Sequence, residues 1–202
     1  MQDSTRIKWN QRYQRAIDGN QLPEPAQVLT QYAYLLPEQG CALDVACGLG
    51  GNALYLARRM LQVDAWDLSD VAIGQLSQRM KREKLTITAQ TRDILHHPPE
   101  PERYDVIVVS RFLERSIITG LIQALKPAGL IFYQTFIKNK DPGVGPNNPR
   151  YLLAENELLV LFSSLHILVY HDEGKVGDCR QGLRNEAVLI AQKPGGVAPN
   201  IR

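Results

Sequence analysis

The sequence predicts an α/β fold in which helices cover both faces of a mostly parallel central sheet. An apolar run from Cys41 to Cys47 leads into three glycines and then into helical spacing, which indicates a buried strand, a tight turn and a helix. Further apolar runs alternate with helical segments as far as Phe136, as in sheets built from strand and helix units. The last two apolar runs have no helix between them, which predicts an antiparallel hairpin at the edge of the sheet and thus an antiparallel C-terminal strand.

The other elements follow from local signals. Helical spacing predicts helices over residues 5–17, 26–36, 70–84, 114–125 and 154–162, the third of them capped by Ser69. Apolar and β-branched runs predict strands over residues 63–67, 85–91, 104–110, 130–136, 165–170 and 187–192. Residues 137–153 are rich in proline, glycine and asparagine and have no hydrophobic period, so we expect a long loop there.

Composition bounds the class of protein. Of the 202 residues, 44% are hydrophobic and 22% are charged, as is usual for globular domains. A net charge of +2 gives no argument for nucleic-acid binding. We expect a cytoplasmic protein, because there is no long apolar run or signal peptide. We expect no metal site, since Cys41, Cys47 and Cys179 lack zinc-site spacing and the adjacent His96 and His97 point apart.

The glycine turn indicates a site for a small ligand. The spacing of Gly48, Gly50 and Ala53 satisfies the dinucleotide pattern G-x-G-x-x-G/A, in which a pyrophosphate lies on the helix N-terminus. Asp44, within the preceding strand, favours a different ligand, because a carboxylate repels a diphosphate and attracts an ammonium and a sulfonium. Asp67 ends the next strand, where nucleotide-binding α/β units place an acid on the ribose hydroxyls.

The residues Asp44 to Gly50, DVACGLG, resemble the first motif of class I S-adenosylmethionine-dependent methyltransferases, roughly (D/E)-x-G-x-G-x-G. Ala46 stands where that family has its first glycine. The order of elements resembles the family over nearly all of the chain. The resemblance therefore implies the Rossmann-like class I methyltransferase fold and S-adenosyl-L-methionine as cofactor. Within the family, the W-x-x-R-Y opening and the NNPRYLL segment are similar to the tellurite-resistance (TehB-like) group.

The resemblance also implies a set of cofactor contacts. The candidate cofactor-binding residues are Trp9, Arg12, Asp44, Ala46, Cys47, Gly48, Gly50, Asn52, Asp67, Leu68, Asp93, Ile94 and Ser110. In this assignment Arg12 meets the cofactor's carboxylate, Asp67 binds the ribose and Asp93 accepts from the adenine amino group. The competing interpretation of Asp93 is that it caps the turn before Pro98. We expect one domain over residues 1–202, with residues 1–20 as a cofactor-capping helix and residues 137–153 as a substrate lid.

A separate set of residues is expected to hold the methyl acceptor. Arg111 follows the fourth strand, and we hypothesise that it works with Asn148, Arg150 and Tyr151 of the loop. Their chemistry fits a small anionic or soft acceptor, with a chalcogen oxyanion or a thiol as candidates. We assign no catalytic residue, because in-line methyl transfer mainly requires two reactants held in contact and water excluded.

Several alternatives stay open at this point. The first is an RNA or protein methyltransferase, although no Asn-Pro-Pro-Tyr signature follows the fourth strand and no basic module is evident. The second is a nicotinamide-dependent oxidoreductase, supported by the glycine spacing alone. The third is a non-catalytic protein that binds the cofactor. The sequence is consistent with either a monomer or a homodimer.

Overall fold

The computed structural model describes the backbone of residues 2–195 and the side chains of residues 4–195. Within this part of the chain, seven strands form one sheet in the order β3-β2-β1-β4-β5-β7-β6. The strands are β1 (Cys41–Val45), β2 (Gln62–Asp67), β3 (Ile87–Thr91), β4 (Tyr104–Ser110), β5 (Leu125–Phe136), β6 (His166–His171) and β7 (Glu186–Gln192). The first five strands pair in parallel, whereas β7 lies antiparallel between β5 and β6. The predicted fold class is confirmed.

Helices cover both faces of this sheet. They are α1 (Gln2–Asp18), α2 (Gln27–Gln31), α3 (Gly51–Arg58), α4 (Asp70–Glu83), α5 (Ile118–Ala124) and α6 (Glu157–Leu161). The buried side chains of α2, α3 and α4 share one hydrophobic cluster, and those of α5 and α6 lie in a second cluster on the opposite face. Central strands covered on both faces read as continuous apolar runs, as in VIVV of β4. None of the helices within residues 2–195 is both long and apolar enough to cross a bilayer.

The strand ends place the candidate residues at one edge. Because β1 to β4 are parallel, their carboxyl ends meet at the same edge of the sheet, which is where ligands bind in folds of this type. Antiparallel β7 begins at that edge, with Glu186 opposite Phe136. The glycine turn, Asp67 and Ser110 therefore come together with the start of β7.

Several predicted boundaries were wrong by a few residues. The helix expected over residues 26–36 is two pieces, α2 and a 3-10 turn at Ala33–Leu35, because Tyr32 between them leaves helical geometry. Helix α1 starts at Gln2, ahead of the expected residue 5. Helix α6 starts only at Glu157, because Asn156 has a left-handed backbone. Strand β5 begins at Leu125, ahead of the expected residue 130, with an irregularity in its pairing to β4.

The expected loop over residues 137–153 is only partly free of structure. Ile137 and Leu153 form an isolated parallel bridge, and Pro149–Tyr151 is a 3-10 turn. The Arg115 guanidinium holds the second half of the loop, donating to the carbonyls of Arg150 and Leu152 at 2.7 and 3.2 Å. Any lid is therefore confined to residues 138–148.

Candidate functional site

The glycine turn that follows β1 contains several residues with a left-handed backbone conformation. Ala46 has φ of +53°, Gly48 has +53° and Gly50, the N-cap of α3, has +85°. Glycine adopts such angles at no steric cost, whereas an alanine in the left-handed region costs about 1 kcal/mol. The position at which this chain departs from the family motif is thus strained, and the absence of a Cβ at Gly48 and Gly50 makes room for Tyr13 and Leu76.

Asp67 ties the turn to the end of β2. Its carboxylate is buried and accepts from the N–H groups of Gly48 and Ser69, both at 2.8 Å. Ser69 also caps α4, accepting from the Ala72 N–H at 3.1 Å, as predicted. Burial raises the pKa of Asp67, and its hydrogen bonds oppose that shift. A carboxylate fixed in this way can accept hydroxyl donors from a ribose.

Tyr13 of α1 already uses that carboxylate. Its hydroxyl donates to Asp67 and lies against Gly48, where a Cβ would meet it at 2.9 Å. Burial and the nearby Asp67 charge raise the pKa of the Tyr13 phenol strongly, which keeps it a donor. Asn10 fastens the same helix to Ser69. Because Asp67 is predicted to bind ribose hydroxyls, we expect the Tyr13 hydroxyl to compete with the ribose for this carboxylate.

Changing Tyr13 to Phe is expected to tighten binding of S-adenosylhomocysteine by up to about tenfold, because a hydrogen bond to a charged group, worth about 1.5 kcal/mol, no longer competes with the ribose. The same substitution should lower the free energy of unfolding of the ligand-free protein by a similar amount. Calorimetric titration and urea denaturation measure the two quantities. Weaker binding would instead make the hydroxyl a direct cofactor contact.

Asp44, Asn52 and Ser110 form a buried network beneath the turn. Asp44 is fully buried and accepts from the Ala53 N–H at 3.0 Å and from the Asn52 amide at 3.3 Å. The Asn52 amide also donates to Ser110 Oγ at 3.0 Å, while its oxygen accepts from the Ala26 N–H at 2.8 Å. Asp44 thus acts on a ligand through its charge and through the orientation of α3.

The protonation of Asp44 should couple cofactor binding to pH. Burial raises its pKa to about 7, and its hydrogen bonds to Asn52 and Ala53 oppose the shift while the Asp67 charge adds to it. The stability that comes from this raised pKa is complete below about pH 4 and is lost as the pH rises through about 7. Ionised Asp44 attracts a cationic ligand, so ligand binding should release a proton.

We therefore expect the affinity for S-adenosylmethionine, which carries a sulfonium and an ammonium, to increase as the pH rises from 6 to 8, by roughly several-fold. In Asp44→Asn the rise should largely disappear, because an amide does not ionise. Titrations of both proteins with S-adenosylmethionine at three pH values measure this change in affinity. Parallel pH profiles for the two would assign the effect to another group.

The residues predicted to contact adenine lie near the end of β3. Ile94 is buried and Leu68 is half-buried beside Asp67. The Asp93 carboxylate accepts from the Leu95 N–H at 2.9 Å and contacts the His96 ring at 3.0 Å. The turn-capping role of Asp93 is thus observed, while its role toward adenine stays a prediction.

The remaining predicted cofactor residues surround the turn. The Trp9 ring stacks on Tyr13 with centroids 5.7 Å apart, and the Arg12 guanidinium lies over Trp9 at 5.2 Å. Cys47 is buried, and burial raises the pKa of its thiol. The capping-helix expectation is consistent with this placement, and the contact of Arg12 with a carboxylate stays a prediction.

The predicted acceptor residues fall into two groups. Arg111 lies beside Ser110, and its Nε donates to Glu186 at 2.8 Å. Arg150 pairs with Glu114 at 3.1 Å, whereas the Asn148 oxygen accepts from the Arg150 N–H and so caps the 3-10 turn. Tyr151 is exposed. Arg111 is therefore at the strand edge, Asn148 and Arg150 are engaged in holding the loop, and the Tyr151 side chain is exposed on it.

Sequence reasoning missed three residues of this site: Tyr13, Gln134 and Glu186. Gln134 lies within the apolar run LIFYQTF, and Glu186 opens the apolar run EAVLIAQ. A polar residue in a run that is otherwise buried must find a hydrogen-bond partner, so these two positions carried a usable signal. Among the side chains of residues 4–195, no group of three or more His, Cys, Asp or Glu is placed to hold a metal ion.

Comparisons with known proteins agree with this geometry. Residues 42–129 match the family described as "Methyltransferase domain". Over 136 residues, or 64% of its length, the chain is 29% identical to the "Probable S-adenosyl-L-methionine-dependent methyltransferase TehB" of Haemophilus influenzae. Over 103 residues, or 48% of its length, it is 30% identical to a "Ubiquinone biosynthesis O-methyltransferase" of Azoarcus sp.. It spans about half the length of these relatives, 47% and 44% respectively.

A solved structure extends the match in fold. The crystal structure of TehB from Haemophilus influenzae superposes with a TM-score of 0.68, covering 88% of this chain and 65% of that chain. At 24% sequence identity, the superposition is evidence for a shared fold alone.

Proposed function

We propose that this chain is a class I S-adenosylmethionine-dependent methyltransferase and that it transfers a methyl group to a small-molecule acceptor. Its cofactor is S-adenosyl-L-methionine, which, when bound, supplies an electrophilic methyl group on a sulfonium. The chain's own residues bind and orient the reactants and exclude water from between them.

One observation carries the proposal. The buried Asp67 carboxylate, at the end of β2, is bonded to the N–H of Gly48 in the turn after β1. A ligand that lies over the glycine turn can therefore present ribose hydroxyls to Asp67, and ionised Asp44 nearby favours positive charge on the same ligand. The residues present fit a cationic nucleoside cofactor.

The same geometry disfavours the dinucleotide alternative. In a dinucleotide fold the first N–H groups of the helix after the glycine turn face a pyrophosphate. Here the Ala53 N–H, at the third position of that pattern, donates to the Asp44 carboxylate. A buried carboxylate already takes this donor and adds a negative charge, so a pyrophosphate would be repelled.

We propose a small anionic or soft acceptor, and a chalcogen oxyanion or a thiol is the first choice to test. Arg111 supports the anionic class, because its guanidinium is exposed at the sheet edge where β4 ends and β7 begins. The relatives named above cannot decide the acceptor, since one is a TehB protein and another a ubiquinone-biosynthesis O-methyltransferase. An RNA or protein acceptor remains the competing proposal.

The acceptor proposal is tested with methyl-labelled S-adenosylmethionine. The purified chain is incubated separately with tellurite, selenite, small thiols, catechols, total RNA and a protein extract, and labelled product is measured. We expect transfer to at least one small molecule and none to the macromolecules. Transfer to RNA or protein alone would overturn the acceptor class and keep the methyltransferase assignment.

A further inference from the structure

Glu186 is a buried carboxylate at the sheet edge that carries the candidate site. It opens β7 opposite Phe136 of β5, and its side chain is only 6% exposed. One oxygen accepts from Arg111 Nε at 2.8 Å, and the other accepts from the Gln134 amide. Both oxygens are therefore used, one by a cation at the surface and one by a buried amide.

Gln134 is itself fixed in orientation. Its side chain is buried, and its Oε1 accepts from the backbone N–H of Val28 at 2.9 Å. Because one end of the amide must accept, the other end must donate, and Nε2 therefore faces Glu186. The carboxylate is held from behind by a chain of hydrogen bonds that reaches α2.

Arg111 is turned toward Glu186 by its backbone. It has φ of +53°, and its N–H donates to the Gln134 carbonyl at 2.7 Å. A left-handed conformation is uncommon for a residue other than glycine, and such residues cluster at functional sites. The left-handed backbone directs the Arg111 side chain across the end of β5 to β7, where its guanidinium contacts the Glu186 carboxylate.

The ion pair with Glu186 leaves Nη1 and Nη2 of the Arg111 guanidinium available to bind a ligand. The side chain is 68% exposed, and the pair with Glu186 engages Nε. Within residues 4–195, no acceptor is bonded to Nη1 or Nη2 of Arg111. A guanidinium pinned through Nε presents these two parallel donors, which match the spacing of two oxygens on a carboxylate or another oxyanion.

We propose that Arg111 binds an oxyanion group of the methyl acceptor through Nη1 and Nη2, and that Glu186 is the positioning residue that holds the guanidinium in place. This inference rests on the proposed methyltransferase function. Ser110, next to Arg111 in the chain, is bonded to Asn52 at the start of α3, so the Arg111 side chain starts from the strand end beside α3 and runs toward β7. It lies on the β4, β5 and β7 side, away from Asp67 on β2.

The substitution Glu186→Gln distinguishes a role of Glu186 in orienting Arg111 from an effect of its negative charge alone. Gln134 and Arg111 both present donors to position 186, and a glutamine there has one oxygen for the two of them. Arg111 should therefore lose its fixed orientation. Removal of a negative charge would by itself strengthen the binding of an anion, so weaker anion binding is a result that charge alone does not produce.

The experiment titrates sodium selenite and sodium benzoate, as an oxyanion and a carboxylate, into the full chain with and without saturating S-adenosylhomocysteine. The variants are Arg111→Lys, which keeps the charge and loses the paired donors, Glu186→Gln and the double variant. Arg58→Lys is the matched control, because Arg58 forms an exposed ion pair with Glu83 outside the site.

We expect saturable binding of at least one anion to the wild type, about tenfold weaker binding in each single variant and no further loss in the double variant. Glu186→Asp, which keeps a carboxylate, should restore part of the binding. The dissociation constant of S-adenosylhomocysteine should stay close to wild type in Glu186→Gln, and circular dichroism should show that this variant is folded.

Unchanged or tighter anion binding in Glu186→Gln, additive losses in the double variant, or no anion binding to the wild type would overturn the inference. An equal loss of S-adenosylhomocysteine binding would assign Arg111 to the cofactor's own carboxylate and also overturn it. If the wild type does not bind S-adenosylhomocysteine, the proposed function fails, and the titrations without it still decide whether Glu186 positions Arg111.

Discussion

Changing Asp67 to Ala is expected to weaken the binding of S-adenosylhomocysteine by about a hundredfold, because two charge-assisted hydrogen bonds to the ribose, each about 1.5 kcal/mol, are lost. The carboxylate is buried and already aligned by the N–H groups of Gly48 and Ser69, so its orientation requires no rearrangement. Calorimetric titration of the purified variant measures the loss.

Folding and binding must be separated in this variant, since Asp67 also holds the turn. Asp67→Asn, which keeps the size of the side chain, is measured beside it. Asp70→Ala is the matched control, because Asp70 is a nearby acid that is exposed and bonded to Asn10. Circular dichroism and thermal melting report on the fold. If a folded Asp67 variant binds with wild-type affinity, the ribose assignment is wrong.

Changing Gly51 to Ala is expected to lower the free energy of unfolding by about 3 kcal/mol, because the new methyl group would overlap backbone atoms that cannot swing aside. Its Cβ would lie 2.1 Å from the Glu24 carbonyl oxygen and 2.5 Å from the carbonyl carbon. The segment before α2 would have to move, and with it the Ala26 N–H that holds Asn52. Urea denaturation measures the change.

Gly74→Ala is the matched control for this substitution. Gly74 lies in α4, where a Cβ would meet nothing within 4 Å. We expect the free energy of unfolding of this variant to rise by about 0.8 kcal/mol, because alanine has a higher helix propensity than glycine. Cofactor binding should weaken only in Gly51→Ala. Equal stability of the two variants would show that the segment near Glu24 adapts to the added methyl group.

The parts of the fold that local signals specify were predicted well. Strand β4 was predicted with its observed bounds, because a β-branched apolar run has no helical alternative. Ser69 was identified as the cap of α4, and the structure shows that hydrogen bond. The antiparallel pairing of the last two strands followed from the missing helix between them, whereas the order of strands in the sheet was not predicted.

Contacts between distant residues were not predictable in this way. Tyr13 meets Asp67 because α1 packs against the start of α4, and no local pattern records that packing. Glu186 and Arg111 are 75 residues apart in sequence. In each case the chemistry depends on which elements lie side by side, and only the sheet order supplies that information.

Asp44 shows a related difficulty. A charged residue within an apolar strand indicated a role in ligand binding. The raised pKa of Asp44 is consistent with that interpretation. The structure adds that its two oxygens bond to Asn52 and Ala53 under the turn. A strand that is buried on both faces gives no sequence signal for the direction of a side chain, so the hydrogen bonds could not be anticipated.

The central claim is that the glycine turn and Asp67 bind a cationic nucleoside cofactor, and one titration tests it most directly. S-adenosylmethionine, S-adenosylhomocysteine and NADH are titrated into the same preparation of the full chain. We expect micromolar binding of the first two compounds and none of NADH, with both affinities about a hundredfold weaker in Asp67→Ala. Binding of NADH without binding of the other two would contradict the claim and return the turn to a dinucleotide fold.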